Sequence, residues 1–204
     1  VFLQETHSDS RNLPDWTQEW PGLSCLSHYT STSGGVAILF TKNFTPVTYD
    51  TEEIVKGRLL KVRAQFEKHV FIFICVYAPT SPVERLDFLD VLCTAIEACD
   101  DEEFLFVGGD FNCTVDNSDR NHTEPHMPSR TRLTQIIQKY GLCDTWWSFH
   151  GSQREYTWAH ARNNFMSLVR LDRFYVFKHH LNILKNCFIN PVGLSDHSLV
   201  SCVA

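Results

Sequence analysis

The sequence predicts an α/β fold in which packed β-sheets carry helices on their outer faces, and three observations support this prediction. Short apolar runs of strand length recur along the 204 residues. Two segments with helical spacing of apolar residues lie among them. The composition, 43% hydrophobic and 21% charged, is that of a globular chain. A chain of this length can bury a large core, so we expect residues 1–204 to form one domain.

The predicted strands differ in how their apolar residues are spaced. Residues 1–4 resemble a strand already in progress, which suggests that the chain is truncated at its N-terminus. Residues 60–66 alternate apolar and polar, which is typical of a strand with one buried face. Residues 70–77 are continuously apolar, which is typical of a strand buried on both faces. Further strands are predicted at residues 35–40, 104–107, 171–177 and 199–203.

Two helices are predicted from their end signals. Ser81-Pro82-Val83-Glu84 combines a capping box with proline at the first helical position, and apolar residues then recur at helical spacing as far as Ile96. The second helix is predicted to begin at Ser129 and to end at Gly141. Residues 114–128 show no periodicity, so we expect a loop there.

Charge is distributed unevenly along the chain, whose net charge is −6. Residues 1–119 carry 8 Lys or Arg against 19 Asp or Glu, whereas residues 120–185 carry 10 against 4. An acidic protein is a poor general nucleic-acid binder. An acidic cation site beside a basic phosphate-binding flank would produce this asymmetry, and so would ordinary solvated faces.

The eight cysteines and the short apolar runs bear on location. No Cys-x-x-Cys pair occurs and most cysteines lie in apolar segments, so we expect reduced thiols and an intracellular protein. The longest apolar runs are far too short to span a bilayer, so we expect no membrane association.

Polar residues recur where predicted strands begin or end. Because a carboxylate at the edge of an apolar core is costly unless it is paired or binds a cation, we expect these residues to share a pocket. Their oxygen ligands suit Mg²⁺, or alternatively Mn²⁺. No phosphate-binding Gly-x-x-x-x-Gly-Lys loop and no Gly-x-Ser-x-Gly elbow occurs, which favours metal-assisted attack of water on a phosphate ester. The residues are Glu5, Tyr77, Asp110, Asn112, Asp172, Asp196 and His197.

Short motifs in a fixed order give the chain a family resemblance. It resembles the endonuclease/exonuclease/phosphatase superfamily, and within it the apurinic-type endonuclease domain of LINE-type (non-LTR) retrotransposons. The resemblance covers essentially the whole chain and implies a four-layered, DNase I-like α/β sandwich. The motifs are Leu3-Gln4-Glu5-Thr6, Gly34-Gly35-Val36-Ala37-Ile38, Val76-Tyr77-Ala78-Pro79, Gly108-Gly109-Asp110-Phe111-Asn112, Tyr156-Thr157-Trp158, Arg170-Leu171-Asp172-Arg173 and Ser195-Asp196-His197.

The resemblance implies a Mg²⁺ site and a residue that activates water. Glu5 matches the metal-binding glutamate of the family, and Asp196 matches a residue next to the metal. Asp110 matches the aspartate that orients or deprotonates the attacking water. Asn112 matches the amide that holds the phosphate. We expect Asp110, Asn112 and His197 to lie at the metal site as well.

The resemblance also implies a group that contacts the phosphate. His197 matches the histidine of that contact, and Asp172 matches the carboxylate that orients it. A plain ion pair of Asp172 with Arg170 or Arg173 is the alternative. Tyr77 matches a tyrosine near the scissile phosphate, although a core aromatic is the alternative. Thr157 matches a hydroxyl that supports this network.

The basic segment is a separate hypothesis about double-stranded DNA. Six side chains in it could line the DNA backbone, and residues 161–168 could form a hairpin that probes a groove. A mixed solvent-facing surface is the alternative. The six are Arg130, Arg132, Arg154, Arg162, Arg170 and Lys178.

Together these observations predict a Mg²⁺-dependent DNA endonuclease that leaves a 3′-hydroxyl. The resemblance implies a reverse transcriptase in the parent polyprotein and a nuclear setting. Two departures from the family are an absent first strand before Val1 and Thr80, where some relatives have Asn. The rival interpretations are a repair-type apurinic endonuclease or 3′–5′ exonuclease, a phosphatase of the superfamily, and an inactive remnant or DNA-binding module.

Overall fold

The structure is a computed structural model, and it describes residues 1–162, 165–193 and 195–204. The chain divides into two compact units. The first unit comprises residues 1–78 and 94–110, and the second comprises residues 79–93 and 111–204. No helix in the described ranges is long and apolar enough to cross a membrane.

The first unit contains a three-stranded antiparallel sheet in the order β1-β3-β2 and a group of four strands in the order β4-β5-β6-β7. In that group β4, β5 and β6 are antiparallel, whereas β6 and β7 are parallel. Helix α1 (Leu13–Glu19) follows a short 3₁₀ turn at Ser10–Asn12. The strands are β1 (Phe2–Gln4), β2 (Ser24–Ser27), β3 (Val36–Leu39), β4 (Thr48–Val55), β5 (Leu59–Phe66), β6 (His69–Tyr77) and β7 (Phe104–Asp110).

The core of the first unit lies between these two layers of strands. Residues at or near β2 and β3 pack against alternate residues of β5 and against the end of β6, which explains the alternating pattern of residues 60–66. The cluster is nearly solvent-free and consists of Cys25, Val36, Ile38, Phe40, Leu60, Val62, Ala64, Cys75 and Tyr77.

The second unit is built from three antiparallel strand pairs, β8–β11, β9–β10 and β12–β13. Helix α2 (Pro82–Glu97) has residues in both units. The strands are β8 (Leu142–Asp144), β9 (Trp158–Arg162), β10 (Phe165–Val169), β11 (Asp172–Phe177), β12 (Asn186–Pro191) and β13 (Ser198–Val203). The other helices are α3 (Met127–Lys139), α4 (Thr145–His150) and 3₁₀ turns at Asn117–Asp119 and Lys178–Ile183.

The structure confirms the predicted α/β class, and a strand occupies every segment in which the sequence predicts one. The predicted start of the second helix is wrong by two residues. Helix α3 begins at Met127, because the side chain of His126 accepts a hydrogen bond from the backbone N–H of Ser129. The hairpin predicted over residues 161–168 exists as β9 and β10, although residues 163–164 lie outside the described part.

Gly109 holds the end of β7 against β6. Its φ is +132°, and an added Cβ would lie 2.0 Å from the carbonyl oxygen of Val76, its register partner. Glycine alone fits such a close backbone approach. The turn into Asp110 and Asn112 therefore depends on this residue.

We expect Gly109→Ala to lower the free energy of unfolding by at least about 2 kcal/mol, since backbone strain of about 1–3 kcal/mol adds to a backbone clash. Gly141→Ala is the matched control, because Gly141 also has positive φ (+59°) but no atom within 4 Å of an added Cβ. The control should lose only about 1 kcal/mol. Equal losses in urea denaturation would contradict the close approach.

Candidate active site

In the first unit Glu5 and Tyr77 form a direct hydrogen bond. The Tyr77 hydroxyl donates to Oε1 of Glu5 at 2.5 Å. Tyr77 ends β6 and is 9% exposed, whereas the Glu5 side chain is 53% exposed. Burial and the neighbouring Glu5 carboxylate raise the pKa of Tyr77 well above its usual value. A phenol is protonated at neutral pH in any case, and the raised pKa of Tyr77 favours this donating form further.

Arg58 lies against the other side of this tyrosine. Its guanidinium carbon lies 4.9 Å from the ring centroid of Tyr77, a cation–π distance. Its Nη1 also donates to the backbone carbonyl of Tyr77 at 3.4 Å. The sequence did not single out Arg58. The only signal was its place after Gly57, directly before β5, where its carbonyl accepts a hydrogen bond from the backbone N–H of Tyr77 at 2.8 Å.

Asp110 ends β7 beside Tyr77 in the parallel register of β6 and β7. It is only 5% exposed, and its carbonyl accepts a hydrogen bond from the backbone N–H of Ala78 at 2.8 Å. Its charge is one of the smaller causes of the raised pKa of Tyr77. A buried carboxylate thus lies at the end of a buried strand, as the sequence predicts.

The donor chemistry of the first unit fits a hard divalent cation. Glu5 and Asp110 offer carboxylate oxygens, and Glu5 is open to solvent. Mg²⁺ is typically held by one or two carboxylates plus waters and substrate phosphate oxygens. Across the described ranges no group of three or more His, Cys, Asp or Glu side chains could hold a metal ion.

In the second unit His197 pairs with Asp172. Nδ1 of His197 lies 2.7 Å from Oδ2 of Asp172, and both side chains are partly buried. A bridge between Trp158 and His197 and a hydrogen bond from the His197 backbone N–H to Oγ of Ser195 hold the histidine backbone. Of the two partners considered for Asp172, the structure shows the histidine and not a neighbouring arginine.

Thr157 supports this pair through the backbone. Its buried hydroxyl accepts hydrogen bonds from the backbone N–H groups of Leu171 (2.9 Å) and Asp172 (3.0 Å). Its carbonyl accepts another from the N–H of Ser198, next to the histidine. Thr157 is thus bonded both to the backbone of Asp172 and to the backbone of Ser198, next to His197.

Asn112 and Asp196 occupy different settings in the second unit. Asn112 has φ of +49°, an uncommon conformation for a residue other than glycine, and such strain often accompanies function. Asp196 is exposed, and its Oδ2 accepts a hydrogen bond from the indole N–H of Trp158 at 2.9 Å. The predicted metal role of Asp196 stays a prediction.

The structure corrects the DNA-contact prediction for Arg170. This side chain is 1% exposed and forms ion pairs with Asp119 and Asp144, each at 2.8 Å. Arg173, which is also buried, pairs with Asp119 at 2.9 Å. The indole rings of Trp146 and Trp147 lie 5.6 and 5.4 Å from the Arg170 guanidinium. Part of the positive charge in residues 120–185 therefore belongs to the core.

Arg130 is corrected for the same reason. It is 7% exposed and donates to the Thr114 hydroxyl, to Asn117 and to Glu124. Arg132 pairs with Asp90 at 2.6 Å and remains partly exposed.

The other four proposed DNA contacts, including that of Arg132, stay predictions. Arg154 and Lys178 are exposed. Arg162 ends β9, and its side chain lies outside the described part of the structure.

Sequence reasoning missed Asp119, a buried carboxylate of the second unit that pairs with Arg170 and Arg173. Burial alone would raise the pKa of Asp119, but the guanidiniums of Arg173 and Arg170 hold it well below its usual range. The only sequence signal was indirect, namely two arginines on either side of Asp172 that need buried counter-charges.

Comparisons with known proteins identify the family. The chain matches the Endonuclease/Exonuclease/phosphatase family over residues 1–197. This chain therefore belongs to that family. Its members include nucleases and phosphatases, as the family description states.

A transposon protein is a close relative in sequence. The chain is 34% identical over 200 residues to the Transposon TX1 uncharacterized 149 kDa protein of Xenopus laevis. The match covers 98% of this chain but 15% of that protein. This agrees with the retrotransposon resemblance seen in the motifs.

Solved structures share the fold. An AP endonuclease from Archaeoglobus fulgidus matches with a TM-score of 0.78 and 21% identity, over 99% of this chain and 87% of that chain. The endonuclease domain of TRAS1, a telomere-specific non-LTR retrotransposon, matches with a TM-score of 0.68 and 13% identity, over 87% of this chain and 77% of that one.

We expect Asp119→Asn to lower the free energy of unfolding at pH 7 by about 3–5 kcal/mol, because it leaves buried arginines undercompensated. The folded-state pKa of Asp119 is depressed, so its contribution is complete above the unfolded value of about 3.9 and is lost as pH falls through the folded value. The variant has no carboxyl to titrate there. The difference in the free energy of unfolding between the wild type and the variant should therefore become smaller as the pH falls below about 4.

Asp87→Asn serves as the control, because Asp87 is exposed. It should change stability by less than about 0.5 kcal/mol at either pH. Urea denaturation at pH 7 and pH 3 measures both variants. A deficit of Asp119→Asn that grows in acid would contradict the assigned ion pairs.

Proposed function

We propose that this chain is a Mg²⁺-dependent DNA endonuclease that hydrolyses a phosphodiester bond and leaves a 3′-hydroxyl. The observation that carries the proposal is the 2.7 Å contact between His197 and Asp172, with Thr157 bonded to the backbone of Asp172. Family membership and the 34% identity to a transposon protein support it.

Glu5 and Asp110 are the proposed metal-holding residues. When bound, Mg²⁺ would act as a Lewis acid that neutralises charge developing on the phosphoryl oxygens. Asp110 is also the proposed acceptor for the proton of the attacking water. Tyr77 donates to Glu5 and so fixes the orientation of that carboxylate.

His197 is the proposed phosphate-contacting residue. Because Asp172 accepts from Nδ1, that nitrogen carries a proton and Nε2 is left to face the substrate. A protonated ring would donate from Nε2 to a phosphate oxygen, and the Asp172 carboxylate would balance its charge. Asn112, held in its strained backbone conformation, is the proposed amide donor to the same kind of oxygen.

We further propose that the chain nicks target DNA as one part of a longer protein with a reverse transcriptase, in the nucleus. The support is the similarity to a transposon protein of which the chain spans 15%. A 3′-hydroxyl at the nick could then prime DNA synthesis.

An apurinic endonuclease or 3′–5′ exonuclease of repair type is the second candidate. The fold shared with an archaeal AP endonuclease supports this candidate. Rates on intact, abasic and recessed duplexes separate these activities. Release of inorganic phosphate would identify a phosphatase instead.

The test is nicking of supercoiled plasmid with Mg²⁺ or with EDTA. We expect metal-dependent nicking by the wild type and, since general-base catalysis contributes on the order of 100- to 10,000-fold, a loss of that size in Asp110→Ala. Asp87→Ala, an exposed carboxylate outside the site, should nick like the wild type. A DNA polymerase should extend the nicks without prior end repair, which verifies the 3′-hydroxyl.

Nicking by Asp110→Ala at the wild-type rate would refute the role of this aspartate. Nicking that persists in EDTA would refute metal dependence.

A further inference from the structure

The carboxylate of Asp119 is buried in the second unit and accepts several hydrogen bonds. Its side chain is 0% exposed. Oδ1 accepts from Nε of Arg170 at 2.9 Å, and Oδ2 accepts from Nη2 of Arg173 at 2.9 Å. Oδ2 also accepts from the backbone N–H groups of Val115 and Asp116. The Asp119 carbonyl accepts from the backbone N–H of Arg170 at 2.7 Å.

The two arginines that Asp119 binds lie on either side of Asp172. Arg173 donates from Nη2 to the carbonyl of Arg170 at 2.5 Å, which closes the turn that contains Asp172. Arg173 also donates from Nη1 to the carbonyl of Cys113 at 2.8 Å, directly after Asn112. Through Arg170 and Arg173, the Asp119 carboxylate therefore fixes the backbone next to Asp172 and next to Asn112.

We propose that Asp119 is a positioning residue that, through Arg170 and Arg173, holds Asp172 where its carboxylate meets His197. This inference rests on the proposed function, but it makes a structural claim that can be measured separately. Buried ion pairs are weak evidence for net stability, so a role in orientation is a better reason for placing Asp119, Asp144, Arg170 and Arg173 together in a core.

Glu124 provides a matched comparison within the same unit. Its side chain is 3% exposed and, like Asp119, it pairs with two arginines, Arg120 and Arg130. It also accepts a hydrogen bond from the Thr114 hydroxyl. None of these partners belongs to residues 170–173. Glu124→Gln therefore removes a comparable buried charge without loosening the turn that holds Asp172.

The experiment compares Asp119→Asn with Glu124→Gln in the full chain. The first readout is the imidazole ¹H–¹⁵N spectrum of His197, in which an Nδ1–H bonded to a carboxylate gives a distinct low-field signal. We expect Asp119→Asn to lose this signal and Glu124→Gln to keep it. In single-turnover plasmid nicking, Asp119→Asn should slow the maximal rate about 10- to 100-fold with the half-saturating DNA concentration unchanged, as for residues that orient a ligand or catalytic group.

Arg173→Lys is the second variant if Asp119→Asn does not fold. It keeps the charge but loses the forked contact with Asp119 and the Arg170 carbonyl, so it should weaken the same signal. An unchanged His197 signal in the folded variant, or equal loss in Glu124→Gln, overturns the proposal. If the wild type cleaves no DNA while the signal still depends on Asp119, the positioning role stands and the proposed function fails.

Discussion

The second unit depends on a buried charge cluster made by Asp119, Asp144, Arg170 and Arg173. Removing charged groups from water is expensive, and only close pairing with well-directed hydrogen bonds offsets that expense. The cluster therefore tolerates little displacement of any backbone segment that contributes to it. Three segments do so, namely residues 113–119, 144–147 and 170–173. The cluster holds the backbone next to Asn112 and Asp172, because Arg173 donates to the carbonyls of Cys113 and Arg170.

In the first unit, by contrast, the site residues are arranged around one phenol, the side chain of Tyr77. Tyr77 lies between the Glu5 carboxylate and the Arg58 guanidinium. Its hydroxyl donates to Glu5, and burial together with that carboxylate raises the pKa of Tyr77 further. Glu5 is left partly open to solvent, as a ligand for a hydrated cation should be. The hard oxygen donors thus lie in the first unit, and the imidazole oriented by a carboxylate lies in the second.

The amino-acid pattern predicted the fold class and many of the strands, but not strands β2, β4, β8 and β12 or helices α1 and α4. The alternating run of residues predicted β5, because burial on one face imposes alternation. The continuous apolar run predicted β6, because a strand buried on both faces is apolar throughout. Strand β4 has mostly exposed residues and leaves no such pattern. The start of α3 was misplaced because a histidine cap is not among the usual signals.

The partners of charged residues were harder to predict. Motif order pointed to the pairing of Asp172 with His197, which the structure shows. It did not reveal that Arg170 and Arg130 are buried, because a basic run has the same sequence signature on a surface as in a paired core. Asp119 was missed since nothing local distinguishes it from a turn-forming aspartate. A sequence shows which residues are charged but not which oppositely charged residues they pair with.

The most direct test of the account is a double-mutant cycle on the pair of His197 and Asp172, measured by single-turnover nicking of plasmid DNA with Mg²⁺. If the two residues act as one unit, His197→Ala with Asp172→Asn should be no slower than His197→Ala alone. This result would show that Asp172 works through the histidine. Independent, multiplying losses would contradict that claim and leave the 2.7 Å contact without a catalytic role.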